Sequence, residues 1–259
     1  MHGRPVVLTV GGLDPTSGAG IAADLATLAL TGCRGRAVAA ALTAQGDGPV
    51  EVHPVDPDFL ARQLERACSG VDVAALKCGA LGSAPQVEVV ARFAAGNAPV
   101  PLIVDPVIRA TRGGALLDEA GVDALRRLLV PRASVVTPNI EEAELLTGLA
   151  DDGEAARALV EAGARWALVT GGHRSGEPFD LLAGPDGAAH RIEGRRIPVA
   201  STHGTGCVLA SAVASGLALG LDVPEACLRA KRFVERALLR SPAGGPAPDL
   251  VGMVGEEPD

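Results

Sequence analysis

Residues 200–219 of the 259-residue chain read Ala200-Ser-Thr-His-Gly-Thr-Gly-Cys207, then Val-Leu-Ala-Ser-Ala-Val-Ala-Ser-Gly-Leu-Ala-Leu219. A glycine-rich turn therefore runs directly into a helix of small apolar residues. The first N–H groups of a helix have no partner inside it, so the turn predicts a site for an anion. A thiol at a helix N-terminus is expected to lose its proton more easily than a free one, which makes Cys207 a candidate for chemistry. The alternative is a tight turn that happens to contain a cysteine.

Short apolar runs alternate with helical patterns through the rest of the chain. Residues 6–10, 73–78 and 101–104 predict strands, and helical spacing separates them. Continuous apolar strands separated by helices are typical of parallel strands that are covered on both faces. We therefore predict an α/β fold with three layers (α/β/α) around a mostly parallel central sheet. Residues 178–190, with Gly184-Pro-Asp-Gly187 as the turn, predict an antiparallel edge hairpin.

The chain contains no internal repeat and no interdomain linker, so residues 1–240 are expected to form one domain. Residues 241–259 are rich in Pro, Gly and acidic side chains, and we expect a loose tail there. The alternative for the tail is a short wrap over the surface.

Composition excludes several classes of protein. The net charge of −8 and the aromatic content of 2% argue against a nucleic-acid-binding protein, because such proteins need basic surfaces and stacking platforms. No apolar run is long enough to span a bilayer and no stretch has the pattern of a signal peptide, so a cytoplasmic protein without a membrane partner is expected. The five cysteines lack paired spacing, which suggests neither a disulfide framework nor a zinc site.

Polar clusters follow the predicted strands, where ligands of open α/β sheets bind. The first spans residues 11–24 and offers glycines with two carboxylates, Asp14 and Asp24. The second is Thr43-Ala-Gln45, whose amide can donate to and accept from a heteroaromatic ring. Gln45 could equally be a solvated loop residue.

Two further clusters carry acidic side chains. Asp105 follows a wholly apolar strand, which suggests a metal or charged ligand or, as an alternative, a turn cap. Asn139 and Glu142 have the spacing of a capping box at the start of a helix. The functional alternative is a polar network that positions hydrated Mg²⁺.

Taken together, these motifs resemble one family of enzymes. Residues 12–24, Ala41-Leu-Thr-Ala-Gln45, Val104-Asp-Pro-Val107, Thr137-Pro-Asn139, Gly171-Gly-His173 and Thr202-His-Gly-Thr-Gly-Cys207 look like the hydroxymethylpyrimidine/phosphomethylpyrimidine kinases of thiamine biosynthesis. These kinases belong to the ribokinase superfamily, and the resemblance spans roughly residues 5–240. The last motif is the most specific, because most of the superfamily has Asp where Cys207 stands.

The resemblance implies a role for each matching residue. Cys207 would act as base toward the substrate hydroxymethyl group, and the anion hole would consist of Gly204, Thr205 and Gly206. Gln45 would bind the aminopyrimidine in a pocket lined by Asp24, Gly12 and Val107. The ATP side would be formed by Asp105, Thr137, Asn139, Glu142, Thr170 and Gly172.

The resemblance also implies cofactors and assembly. ATP would be the donor, and Asp105 and Glu142 would hold Mg²⁺ through water. A homodimer is expected.

Three positions depart from the family pattern. Thr170 stands where the family usually has Lys near the ATP phosphates, so we expect Mg²⁺, Arg174 or Arg109 to supply the missing charge. Ala80 replaces the common Met of the Lys-Ile-Gly-Met motif, and Ile108-Arg109 replace small or apolar residues.

Other functions remain open from the sequence. A pyridoxal-type kinase has the same fold and mechanism and differs in the ring it binds. Thr170 is also compatible with a pyrimidine-binding relic that no longer transfers phosphate. A hydrolase with Cys207 as nucleophile and His203 as base is a further class, although no third orienting residue is evident.

Overall fold

The computed structural model describes residues 3–44, 49–111, 113–172, 176–199, 201–241 and 248–254. Its centre is a nine-stranded sheet in the spatial order β3-β2-β1-β4-β5-β6-β7-β8-β9. The strands are β1 (Val6–Leu13), β2 (Arg34–Ala44), β3 (Glu51–Pro54), β4 (Val73–Cys78), β5 (Leu102–Val104), β6 (Val135–Val136), β7 (Ala167–Val169), β8 (Phe179–Ala183) and β9 (Ala189–Glu193).

The six strands from β2 through β1 and β4 to β7 are parallel, which confirms the predicted sheet. The predicted hairpin is also confirmed, because β8 pairs antiparallel with both β7 and β9. The opposite edge differs from the prediction. Strand β3 pairs antiparallel with β2, so both edges of the sheet carry antiparallel strands.

Eight α-helices lie among the described residues. They are α1 (Gly20–Leu30), α2 (Pro57–Cys68), α3 (Ala84–Gly96), α4 (Glu119–Ala124), α5 (Ile140–Thr147), α6 (Asp152–Glu161), α7 (Thr205–Ala218) and α8 (Val223–Arg240). Helices α2 to α6 cover one face of the sheet, and α1, α7 and α8 cover the other. The architecture is therefore the predicted three-layer α/β/α arrangement.

Side chains of the central strands alternate between the two hydrophobic cores. Val7 packs toward α1 and α7, whereas its neighbour Leu8 packs toward α2 and α3. Ile103 and Val104 of β5 divide in the same way. All four are essentially inaccessible to solvent, which is why the strands read as continuous apolar runs rather than as polar–apolar alternation.

Aspartate and asparagine side chains cap the N-termini of several helices. Asp118 accepts a hydrogen bond from the N–H of Gly121 and caps α4. Helix α4 ends at Ala124, and residues Leu125–Leu129 continue it as a π-helical segment. Helix α7 begins at Thr205.

Part of the C-terminal tail is packed rather than loose. Met253 is buried in the core beside α8, and the N–H of Asp249 donates to the carbonyl of Ala237 at 3.2 Å. Residues 248–254 therefore agree with the alternative of a short surface wrap. Across the described residues, no helix has the length and apolar character that crossing a membrane requires.

Candidate active site

A cavity of about 540 Å³ opens at the carboxyl edge of the parallel strands. The loops after β1, β4, β5, β6 and β7 meet the N-terminus of α7 there, as expected for ligand sites in open parallel sheets. The predicted site residues that line it are Gly12, Asp105, Val107, Thr137, Asn139, Glu142, Thr170, Gly172, Gly204, Thr205, Gly206 and Cys207.

One of the described predicted site residues does not line the cavity. Asp24 is fully buried on α1 behind Lys77, contrary to the expectation that it lines the pyrimidine pocket. Gln45 lies outside the described residues. The same holds for His173 and Arg174, which the sequence placed beside Gly172.

The turn before α7 is pressed against the loop that follows β1. Gly204 is the N-cap of α7 and has a left-handed φ of 85°. A Cβ at this position would lie 1.9 Å from the carbonyl oxygen of Gly18, so no other residue fits. The Thr205 hydroxyl donates to the Thr202 carbonyl at 2.9 Å and closes the turn. The N–H groups of Gly206 and Cys207 belong to the first helical turn, where intrahelical acceptors are missing.

A buried lysine lies beneath this turn. Lys77 Nζ is 3.0 Å from each carboxylate oxygen of Asp24 and 3.4 Å from Asp105 Oδ2. Burial alone would lower the pKa of Lys77, but the charge of Asp24, followed by Cys207 and Asp105, raises it well above its usual value. The site therefore holds a permanent positive charge at its base.

Asp24 is the residue that fixes this lysine. Its carboxylate also accepts hydrogen bonds from Thr9 Oγ1 at 2.5 Å and from Ser211 Oγ at 2.8 Å. Strands β1 and β4 and helices α1 and α7 are thus joined through one buried carboxylate. With both oxygens engaged, Asp24 holds Lys77 in position rather than contacting a ligand.

The surroundings of Cys207 favour its thiol form. Burial raises its pKa, Lys77 opposes this, and the carboxylates of Asp105 and Asp24 raise the pKa further. The N–H of Gly20 donates to the sulfur. The expectation that its helix position eases deprotonation is therefore wrong here, because desolvation and nearby carboxylates outweigh the helix terminus.

Asp105 lies between the thiol and Lys77. Burial raises its pKa, while Lys77 and a hydrogen bond with Cys207 act in the opposite direction. Its Oδ2 atom is buried and has no hydrogen-bonding partner among the described residues. The same oxygen is nevertheless 3.4 Å from Lys77 Nζ, so its charge is paired.

An Asp–His pair joins the turn to the β1 loop. His203 Nε2 lies 2.7 Å from Asp14 Oδ2, and Asp14 also accepts from the N–H and hydroxyl of Thr16 at 2.9 Å and from the Ala19 N–H at 3.1 Å. Although burial opposes the effect, these hydrogen bonds lower the pKa of Asp14. The carboxylate stays ionised and fixes the orientation of the His203 ring.

Asn139 and Glu142 form the complete capping box predicted as a structural alternative. Glu142 accepts from the Asn139 N–H at 3.0 Å, and Asn139 accepts from the Glu142 N–H at 2.9 Å. The second Glu142 oxygen lies 3.4 Å from the N–H of Ile108. Burial, with a smaller contribution from Asp105, raises the pKa of Glu142 to about 8.

The carboxylates of the cavity fit a hydrated cation better than a directly coordinated one. Within the described ranges, no group of three or more His, Cys, Asp or Glu side chains is placed to hold a metal ion. Asp105 and the Glu142 carboxyl still line the cavity with the hard oxygen atoms that Mg²⁺ prefers. Mg²⁺ commonly keeps several waters, so two such side chains suit it.

Thr170 lies beside a second buried ion pair. Its N–H donates to the carbonyl of Pro138 at 2.9 Å, so it follows β7 next to the β6 loop. Asp180 accepts from the N–H of Gly171 at 3.0 Å and from Lys231 Nζ at 2.8 Å. Lys231 lines the cavity, but its charge is paired with Asp180.

Lys77 and Lys231 were not identified as site residues from the sequence, and Asp14 was noted only as a carboxylate of the cluster at residues 11–24. Lys77 did give a signal, since it interrupts an apolar strand in a chain with one other lysine, Lys231. A charged residue inside a buried strand requires a partner, and Asp24 is that partner. The partners of Asp14 and Lys231 could not be identified in the same way, because they are far away in sequence.

The family model and the relatives that match this chain agree in the kind of protein they describe. A family model described as phosphomethylpyrimidine kinase matches residues 14–249. The hydroxymethylpyrimidine/phosphomethylpyrimidine kinase of Streptomyces coelicolor is 42% identical over 249 residues, which cover 93% of this chain and 91% of that protein. The kinase of the same name from Haemophilus influenzae is 38% identical over 242 residues, with 90% of each chain covered.

Solved structures show the same fold. The phosphomethylpyrimidine kinase of Clostridium difficile superposes with a TM-score of 0.79 at 30% identity, covering 91% of this chain and all (100%) of that one. The pyridoxal kinase of Staphylococcus aureus in complex with AMP-PCP and pyridoxal has a TM-score of 0.87 at 27% identity, covering 98% and 96% of the two chains.

Proposed function

The chain belongs to the phosphomethylpyrimidine kinase family and is therefore an ATP-dependent phosphotransferase of thiamine biosynthesis, and from that premise we propose its substrates and mechanism. The acceptor is 4-amino-5-hydroxymethyl-2-methylpyrimidine, its monophosphate or both. The observation that carries the proposal is the meeting, in one cavity, of the α7 turn, the Cys207 thiol and the buried Lys77 cation.

The turn supplies charge stabilisation during transfer. Phosphoryl transfer proceeds through a loose transition state whose charge lies on the phosphoryl oxygens, so positioned donors matter more than covalent help. Gly204, Thr205 and Gly206 form the proposed anion hole, in which the N–H of Thr205 already donates to the Thr202 carbonyl at 3.2 Å and the N–H of Gly206 has no intrahelical acceptor. Close packing of Gly204 on Gly18 supports this role, because it holds the donors in place before substrate arrives.

Cys207 is the proposed base. Its sulfur takes the proton of the substrate hydroxymethyl group, the freed oxygen bonds to the γ-phosphorus, and the bond from that phosphorus to ADP breaks. Lys77 supports this role because its charge stabilises the thiolate. Burial and the two carboxylates oppose ionisation, so the thiol form predominates at rest and only a small thiolate fraction is reactive.

The nucleotide side of the cavity is proposed to hold ATP with Mg²⁺. Asp105 and Glu142 would hold the hydrated ion through water, with Thr137, Asn139, Thr170 and Gly172 around the nucleotide phosphates. Bound Mg²⁺ supplies charge neutralisation of the donor phosphates. A nearby cation would also favour the ionised form of Glu142.

The acceptor ring is proposed to lie against Gly12 and Val107, with the Gln45 amide pairing with the aminopyrimidine. Asp24 supports the same region indirectly, because it fixes Lys77. A cytoplasmic homodimer is proposed by analogy with the family.

A pyridoxal-type kinase is the second candidate. It is supported by the close superposition with the Staphylococcus aureus pyridoxal kinase, whose cavity accepts a different ring. A pyrimidine-binding relic is the third, supported by Thr170. The Cys–His hydrolase finds no support in the family relationship, although Asp14 does orient His203.

Acceptor-dependent release of ADP separates these candidates. The protein is incubated with ATP and Mg²⁺, and ADP is followed after addition of hydroxymethylpyrimidine, its monophosphate or pyridoxal. The proposal requires that the pyrimidines give the highest kcat/KM. A higher value for pyridoxal would establish the second candidate, and tight pyrimidine binding without ADP release would establish the relic.

A further inference from the structure

Arg109 is one of the cavity-lining cations whose side chain has no protein partner among the described residues, and Arg195 is another. Lys77 is paired with Asp24 and Asp105, and Lys231 is paired with Asp180. Among the described residues, the Arg109 guanidinium makes neither a hydrogen bond nor an ion pair, although it lines the cavity. The positive charges nearest the cavity floor are thus already neutralised, and Arg109 is available to an anionic ligand.

The backbone that carries Arg109 is fixed. Ile108 and Leu116 are joined by a hydrogen bond of 2.8 Å, the N–H of Ala110 donates to Gly114 at 3.0 Å, and Arg109 pairs antiparallel with Ala115. The flanking side chains Ile108 and Ala110 are buried, whereas Arg109 is exposed. The loop therefore presents the guanidinium from a defined position.

A short series of contacts connects Arg109 to Thr170. The N–H of Ile108 reaches Glu142, Glu142 accepts from the N–H of Asn139, and Asn139 pairs with Thr170 in a parallel bridge. Arg109 and Thr170 also line the same cavity. Thr170 is on the side of the cavity that the proposed function assigns to the nucleotide.

We propose that Arg109 binds the phosphates of the donor nucleotide and supplies the mobile positive charge that Thr170 cannot. The inference rests on the proposed function for the identity of the donor. A guanidinium is planar and always charged, and it binds phosphate oxygens through two parallel N–H donors. Thr170 offers one neutral hydroxyl, so the two side chains together replace what a single lysine at position 170 would do.

The test compares Arg109→Met with two other variants. Arg109→Lys keeps the charge, and Arg92→Met removes one arginine charge from an exposed position on α3, outside the cavity. ADP affinity is measured by calorimetry, and kcat/KM for ATP is measured with the pyrimidine and with its monophosphate. Thermal melting checks that each variant is folded.

Loss of a charged hydrogen bond predicts that Arg109→Met weakens ADP binding and lowers kcat/KM for ATP by about 10- to 100-fold, equally with both acceptors. Arg92→Met should match the wild type, and Arg109→Lys should lie between. In the double variant that carries Thr170→Lys and Arg109→Met, kcat/KM for ATP should be about tenfold higher than in Arg109→Met alone. Unchanged ADP affinity, or a loss confined to the monophosphate acceptor, would overturn the inference. A wild type that binds ADP but phosphorylates neither pyrimidine would instead refute the proposed function.

Discussion

His203 Nε2 lies 2.7 Å from Asp14 Oδ2, a contact between residues 189 positions apart in the chain. His203 belongs to the turn before α7, and Asp14 belongs to the loop after β1. The same two segments touch again where Gly204 packs on Gly18. The proposed pyrimidine side and the proposed anion hole are thus held as one unit, although neither contact need touch the substrate.

His203→Ala should therefore lower kcat/KM for the pyrimidine by up to about 100-fold, because small displacements of positioned groups are costly in catalysis. His203→Gln retains a donor toward Asp14 and should recover part of this loss. Steady-state kinetics of both variants, with circular dichroism as a check on folding, provide the measurement. An Ala variant as active as the wild type would show that the pair does not position the turn.

Lys77→Met should destabilise the protein by about 3–5 kcal/mol, because it leaves the buried carboxylates of Asp24 and Asp105 without their counter-charge. Urea unfolding at neutral pH measures the change. The double variant Lys77→Met with Asp24→Asn removes one of the stranded charges and serves as the control. It should be more stable than the single variant, and the reverse order would contradict the assigned partnership.

Cys207→Ala should reduce turnover by about 10²- to 10⁴-fold while the fold is retained, which is the usual cost of removing a general base. Cys207→Asp should keep some activity. Because burial raises the pKa of the thiol, the active thiolate fraction of the wild type grows with pH. The wild-type rate should therefore rise through the alkaline range, and the Asp variant should not follow it. A pH-independent wild-type rate would argue against the thiolate as base.

Glu142→Gln should change how stability depends on pH. The folded-state pKa of about 8 exceeds the ordinary 4.5, so between these values the folded protein holds a proton that the unfolded chain releases. Stability is therefore lost as pH rises from about 4.5 to about 8. The Gln variant has no such proton and avoids this loss. The Tm of Glu142→Gln minus the Tm of the wild type should therefore be several degrees larger at high pH than at low pH.

Thermal unfolding of the wild type and of Glu142→Gln, each measured below pH 4.5 and above about pH 8, tests this prediction. Glu141→Gln, at the exposed neighbouring position, removes the same charge outside the capping box and should show a much smaller pH effect. An equal difference in Tm at both pH values for Glu142→Gln would mean that this carboxyl ionises normally.

Local sequence patterns were sufficient for most of the fold. The parallel strands are buried on both faces, so their apolar runs stand out, and the Gly-Pro-Asp-Gly turn marks the β8–β9 hairpin. Strand β3 escaped prediction because its four residues, Glu51-Val-His-Pro54, are half-polar and end in proline at a sheet edge. The polar clusters did converge at one cavity, because parallel strands end at the same edge.

Electrostatic features were the part that the sequence could not provide. The thiol pKa of Cys207 depends on Asp24 and Asp105, which approach it only in three dimensions. The same is true of the Asp14–His203 contact and of Lys231, which reaches Asp180 from α8. A helix N-terminus is a local feature, but the charges that outweigh it belong to other strands and helices.

The most direct test of the central claim follows the γ-phosphoryl group itself. The protein is mixed in excess with ATP carrying an isotopically labelled γ-phosphoryl group, Mg²⁺ and hydroxymethylpyrimidine, and the products of a single turnover are identified by mass spectrometry. The account predicts that the label appears on the hydroxymethyl oxygen of the pyrimidine, and that Cys207→Ala forms the same product far more slowly. Label that is found only in inorganic phosphate, with the pyrimidine unchanged, would contradict the account.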